Sequence, residues 1–274
     1  MLQLAINWNP SPILIDFGSI AIRYYSLMFV FAFLIGIYIE KKLYKKDGVD
    51  HELVDSLFVY VVIAVILGAR LGEVFFYSWD YYKNHLLEIL IPIQFSPFKI
   101  IGFSGLASHG AAAGVILSVY LFQKYKLSQK SYLWILDRVV IAVPIGGALV
   151  RIGNLMNSEI VGKYTGTDVG VIFQRIGDTE PRYPTQIFEA IGYVLVFFIL
   201  WFIYWKTDKK QKEGYIFGVF MITLWMVRFI VEFWKERQDG EDLTTLLDKG
   251  QLLSIPFILV GFYFVLRHHL KKLP

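Results

Sequence analysis

Seven mostly apolar stretches divide this chain, at roughly 22–40, 53–76, 103–122, 133–150, 186–205, 214–234 and 251–267. A helix needs about 20 such residues to cross the hydrocarbon core of a bilayer. No water reaches that core to satisfy backbone groups, so only helices and closed barrels can span it, and no strand-like alternation points to a barrel. Composition agrees, with 56% hydrophobic and 18% charged residues, where soluble chains run near about a quarter charged. The expected fold is all-α: one polytopic integral membrane domain over 1–274 with about seven transmembrane helices.

Charge sets the expected orientation. Lys41, Lys42, Lys45 and Lys46 follow the first stretch, and Lys124, Lys126 and Lys130 follow the third. Lys206, Lys209, Lys210 and Lys212 follow the fifth, and Arg267, Lys271 and Lys272 close the chain. The alternate loops are poorer in lysine and arginine. The richer set faces the cytoplasm by the positive-inside rule. This places the N-terminus outside and the C-terminus inside. Segments 1–21, 77–102, 151–185 and 235–250 then lie on the outer side. The N-terminus lacks a basic region, and Asn7, Asn9, Pro10, Pro12 and Asp16 interrupt its apolar residues. It does not read as a signal peptide. It is expected to lie on the membrane surface or to pack on the helices.

Polar residues collect where these stretches meet the outer side. Arg151, Asn154, Asn157 and Glu159 follow one another at the end of the fourth stretch. A lone arginine there can snorkel to the headgroups. Amides do not snorkel, so the cluster points to a lined cavity. Arg228 interrupts an apolar run, and intramembrane arginine costs a few kcal/mol. Glu232 is four residues on and shares its helical face, so the two can pair. Arginine also presents a planar fork of donors suited to phosphate. Two such forks, Arg151 and Arg228, could hold one phosphodiester. His109 sits among small residues, which suits either tight helix packing or a base with room for a headgroup or peptide beside it. Tyr25, Arg70, Gln186 and Glu189 fall at the same expected depth. Arg70 and Glu189 each also have a purely structural reading.

The chain has no cysteine. A thiol nucleophile would therefore belong to a substrate. No metal constellation appears. The glycine-rich runs lack the strand–loop–helix setting of a nucleotide loop. The basic residues sit in short loops between apolar stretches, which does not suggest nucleic acid.

RIGNLMNSEIVGK, over 151–163, resembles the signature of the bacterial prolipoprotein diacylglyceryl transferase family. Its Arg-hydrophobe-Gly-Asn core falls on Arg151 to Asn154, and Asn157, Glu159 and Gly162 match the residues that follow. IRYYSLMF resembles the first-helix tyrosine motif, with Tyr25 at the functional tyrosine. GLASHGAAAG resembles the His-Gly motif, with His109 at the histidine. RYPTQIFEA resembles a block containing Gln186 and Glu189. RFIVEFWKER followed by KGQLLSIPFILVG resembles the C-terminal pair, with Arg228 at its essential arginine. Some positions depart from the pattern. Ser158 stands where glycine is usual, Tyr183 and Thr185 replace histidine and serine, and Lys235 stands where arginine is frequent.

The resemblance implies a transferase in the bacterial cytoplasmic (inner) membrane, with its active site toward the outer leaflet. Its substrates would be phosphatidylglycerol and prolipoprotein signal peptides with a lipobox cysteine. The diacylglyceryl group would pass to the thiol and glycerol phosphate would leave, with no metal or cofactor. His109, Arg151 and Arg228 would be catalytic. Arg151, Arg228, Tyr25, Asn154, Glu159 and Gly162 would bind the lipid. Arg70, Asn157, Gln186, Glu189 and Glu232 would support them. A transporter for an anionic metabolite or lipid also suits intramembrane arginines. Such folds often carry internal repeats, and none is visible here. A purely structural protein gives no reason for two phosphate-suited arginines at one depth.

Overall fold

The computed structural model describes residues 5–18, 21–89, 93–95, 98–100, 107–237 and 247–270. The chain is mostly helical. Its elements run β1 (Ala5–Trp8), β2 (Ile13–Asp16), β3 (Ala21–Arg23), α1 (Tyr24–Lys46), α2 (Leu53–Phe76), α3 (Trp79–Tyr82), β4 (Ile93–Phe95) and β5 (Phe98–Ile100). Then follow α4 (Ser108–Lys126), α5 (Tyr132–Met156), β6 (Gly170–Phe173), α6 (Thr185–Lys206), α7 (Tyr215–Val231) and α8 (Lys249–Leu270). Five helices, α2, α5, α6, α7 (with the turn to Trp234) and α8, are long and apolar enough to cross a membrane. The expected first and third stretches fall on α1 and α4, of 23 and 19 residues.

The chain divides into two units, residues 1–40 with 136–274, and residues 41–135. In the first, α5 packs on α1 through small residues, so that a Cβ on Gly146 would sit 3.6 Å from that of Ala32. α6 packs on α7, and α7 on α8, where Trp225 stacks on Phe257 with centroids 4.2 Å apart. Asp137 begins α7 by accepting from the backbone N–H of Gly214 (2.7 Å) and Phe217 (2.8 Å). These are two of the four donors that a helix N-terminus leaves unpaired.

The segments outside these helices are not plain loops. β1 pairs in parallel with β6, from Ala5 beside Gly170 to Trp8 beside Phe173. The Trp8 indole donates to the Leu155 carbonyl at 2.9 Å. The N-terminal segment thus packs on the fold, the second of its two expected placements. Leu155, Val161, Val171 and Phe173 form a small apolar core beneath this platform. Isolated bridges join Gly162 to Lys235 and Tyr164 to Arg182.

In the second unit α2 crosses α4 at backbone distance. A Cβ on Gly68 would lie 2.4 Å from the Gly110 carbonyl, and one on Gly114 would lie 2.3 Å from the Ala64 carbonyl. Small residues at four-residue spacing permit such crossings between membrane helices. α2 thus fills the space beside Gly110 and Gly114, while the side chain of His109 lies outside the described residues.

Candidate functional site

α5 delivers Arg151 and Asn154 at its final turn, and the chain then reverses sharply. Ser158 and Ile160 adopt φ of 51° and 57°. The left-handed conformation costs an L-residue roughly 1–2 kcal/mol, and for a β-branched residue it is a true outlier. Such strain persists only where surroundings over-determine it. Here the Gln186 amide donates to the Glu159 carbonyl at 2.8 Å, and the Thr185 hydroxyl to the Ile160 carbonyl at 3.1 Å. The start of α6 thus holds the reversal in place.

The reversal folds Glu159 back onto the end of α5. Its Oε1 accepts from Asn154 Nδ2 at 2.7 Å and Asn157 Nδ2 at 3.3 Å. Asn154 Oδ1 in turn accepts from Arg151 Nη1 at 3.2 Å. Arg151 is 9% exposed. Its Nε pairs with the Glu189 carboxylate from α6. The Tyr25 ring lies over Gly153, where a Cβ would come within 2.8 Å.

Arg228 lies on α7 next to Val227, which packs against the cluster of Ala148, Ala190 and Tyr193. Its guanidinium carbon lies 5.4 Å from the Trp225 ring centre. Its Nε is buried without a hydrogen-bond partner. It makes no ion pair among the described residues. Asn157 Oδ1, Ser158 Oγ and Gln186 Oε1 are likewise buried and unpartnered. Buried polar groups are normally satisfied, so this concentration marks a place built for something polar.

Tyr25, Arg151, Asn154, Asn157, Glu159, Gln186 and Glu189 thus lie around the end of α5, and Arg228 lies on α7. Glu232 does not pair with Arg228. The backbone N–H of Glu232 still donates to the Arg228 carbonyl, as in an α-helix, and a tighter turn over Glu232–Trp234 follows. The Glu232 carboxylate accepts from Lys235 Nζ at 3.4 Å, against Gly250 of α8. Gly162 is wedged between two backbones, where a Cβ would lie 2.4 Å from the Tyr183 carbonyl and 2.9 Å from that of Trp234. In the other unit Arg70 donates to the carbonyls of Ile89 (2.9 Å) and Glu88 (2.8 Å), over the Tyr82 ring. It anchors the segment after α2. His109 lies in the first turn of α4, and its side chain lies outside the described residues.

A sequence profile of the prolipoprotein diacylglyceryl transferase family matches residues 12–267. The chain belongs to this family. A phosphatidylglycerol–prolipoprotein diacylglyceryl transferase of Bacteroides fragilis is 38% identical over 274 residues, covering 99% of this chain and 98% of the relative. One of Tolumonas auensis is 38% identical over 94% of this chain and 96% of its own length. One of Rickettsia typhi is 34% identical over 96% and 98%.

Two departures from the family pattern now have structural settings. Ser158 occupies a left-handed position, the reason glycine is usual there. Lys235 replaces a frequent arginine and keeps a cation beside Glu232. Sequence reasoning missed Tyr193 and Arg182. Tyr193 lies one helical turn beyond Glu189, opposite Gly147, and that spacing was its available signal. Arg182 donates to Asp178 at 2.7 Å and to the Gly162 carbonyl at 3.1 Å, and it pairs with Glu236 at 2.9 Å. It also covers the Tyr164 ring at 3.9 Å. Burial alone would make this guanidinium easier to deprotonate, but its carboxylate partners outweigh that and raise its pKa further. It clamps the platform and stays charged.

Proposed function

We propose that this chain transfers the diacylglyceryl group of phosphatidylglycerol to the lipobox cysteine thiol of a prolipoprotein signal peptide. A C–S bond forms at the glycerol carbon as the C–O bond to phosphate breaks, and glycerol phosphate leaves with the electron pair. The observation that carries the reading is the pairing of a fixed arginine with an unpaired one. Arg151 is held by Glu189 and Asn154, and Arg228 on α7 has no counter-charge among the described residues. A phosphodiester supplies that counter-charge. The two forks then stabilise the charge that grows on the leaving oxygen.

Tyr25, Asn154 and Glu159 orient the headgroup and Arg151. His109 serves as the base that converts thiol to thiolate, the nucleophilic form. Gln186, Asn157 and Glu189 support the wall, and Arg70 and Glu232 brace neighbouring segments. No cofactor is required, because phosphate is a competent leaving group. In this reading seven helices cross the bacterial inner membrane. The N-terminus and the site face outward, where lipid headgroup and exported peptide meet.

The test uses purified protein in detergent, phosphatidylglycerol and a lipobox peptide containing one cysteine. A diacylglyceryl mass gained by that peptide and not by its Cys→Ser counterpart, with release of glycerol phosphate, is the expected result. Folded protein that binds the lipid and yields no product would favour a transport or binding role.

A further inference from the structure

We propose that the open edge of β1 takes the substrate's polypeptide just beyond the lipobox cysteine as an added strand, an inference that rests on the transferase reading above. The two strands of the platform are not equivalent. β6 is occupied on both sides, by β1 along one and by a bridge to Arg182 along the other. β1 has only β6 beside it among the described residues.

The ladder fixes which groups of β1 are free. Val171 exchanges both of its main-chain bonds with Arg182, donating at 3.0 Å and accepting at 2.9 Å. It therefore turns its N–H and C=O away from β1. Successive residues of a strand direct these groups to opposite sides, so Gly170 and Ile172 face β1. They stand beside Ala5 and Asn7. Bonds in a parallel ladder slant to the residues flanking the partner, so Ile6 and Trp8 make the bonds to β6. Ala5 and Asn7 point their N–H and C=O the other way. Neither has a main-chain partner on that side among the described residues. Asn7 is exposed, and the side chain of Ile6 beside it is 60% exposed.

Such an edge is a template for another extended chain. β1 is continuous with the site, because its Trp8 indole donates to the Leu155 carbonyl, one helical turn beyond Arg151. In the orientation proposed above the platform faces outward, the side on which an exported peptide continues beyond its cysteine. The edge offers main-chain donors and acceptors and no charged side chain. It therefore suits a polypeptide of any side-chain sequence, as strand addition does elsewhere. A lipid headgroup has no repeating amides to match it.

The experiment uses phosphatidylglycerol and one-cysteine lipobox peptides that extend several residues past the cysteine. In one arm these residues are N-methylated singly and assayed with wild type. Methylation should raise peptide KM about fivefold, the value of one ordinary hydrogen bond, at alternate positions only, since alternate residues face β1. In the other arm Asn7→Pro removes one outward N–H and leaves the bonds from Ile6 and Trp8 to β6, a placement that edge strands tolerate. Its KM for the extended peptide should rise about fivefold. Its KM for a peptide ending at the cysteine should match wild type, which a merely structural defect would not allow.

A flat N-methyl scan overturns the proposal, as does an Asn7→Pro effect that is the same for extended and short peptides. If Asn7→Pro melts early, the scan on wild type decides alone. A flat scan with an altered oligomeric state in Asn7→Pro would assign the edge to a second copy of this chain. Wild type that lipidates the unmethylated peptide but gives a flat scan keeps the transferase reading and loses this one. Wild type that yields no thioether with any peptide loses both.

Discussion

Glu189 and Arg151 form an ion pair between α6 and α5 in which the carboxylate is 1% exposed and the guanidinium side chain 11%. A buried pair of this kind contributes little net stability when intact, but breaking it leaves a charge with neither water nor partner. Glu189→Ala should destabilise the protein by about 3–5 kcal/mol, read as a lower melting temperature in detergent. Activity should fall with it, because Arg151 loses its orientation.

Arg228 should behave in the opposite way. Among the described residues it has no ion pair to break, so Arg228→Gln should change stability by less than about 1 kcal/mol, the scale of its contact with Trp225. Thioether formation should nonetheless be lost. Arg151→Ala should lose both, since it strands Glu189. Assaying melting and turnover in the two arginine variants separates these roles.

Ser158 should be improvable. Its φ of 51° suits glycine, and its hydroxyl is buried without a partner. Ser158→Gly should raise stability by about 0.5–1 kcal/mol after the extra entropy of an unfolded glycine is counted. Activity should be unchanged. A lower melting temperature would show that the turn does not carry the strain described.

Gly162 should resist any side chain. A methyl group there meets two carbonyls, and overpacking of this kind costs about 1–3 kcal/mol. Gly162→Ala should lose activity in proportion to its loss of folded protein. Inactive protein with normal melting would point to direct contact with lipid.

Tyr164 should make the platform sensitive to alkali. Its hydroxyl bonds to Asp178, which raises its pKa above the ordinary tyrosine value, with burial adding to the rise. The stability it contributes is therefore present below the unfolded pKa of about 10 and lost as pH climbs through the folded value. Wild type should lose more stability than Tyr164→Phe in that window, measured by melting at stepped pH.

The helices were legible because apolar runs of bilayer length leave few alternatives. The ring of polar residues at their ends was legible because amides and arginines stand out against such runs. The platform was not. β1 and β6 are four residues each and lie far apart in the chain, too short for any period to show. Arg228 and Glu232 do not pair, although the helix between them is continuous, because Lys235 three residues on takes the carboxylate instead. Tyr193 was hidden among tyrosines that serve equally well at a membrane interface. Its place one helical turn beyond Glu189 was the available sign that the ring points inward, where it packs with Ala148 and Ala190 opposite Gly147.

The platform ties Lys163 N–H to the Trp234 carbonyl at 2.8 Å and Glu236 N–H to the Val161 carbonyl at 3.1 Å. The chain leaving α5 is thereby stitched to the chain leaving α7, and each of those helices carries one of the two arginines. Neither helix end can swing outward without tearing these stitches. The two arginine-bearing helix ends are therefore joined through main-chain hydrogen bonds and not through side chains alone.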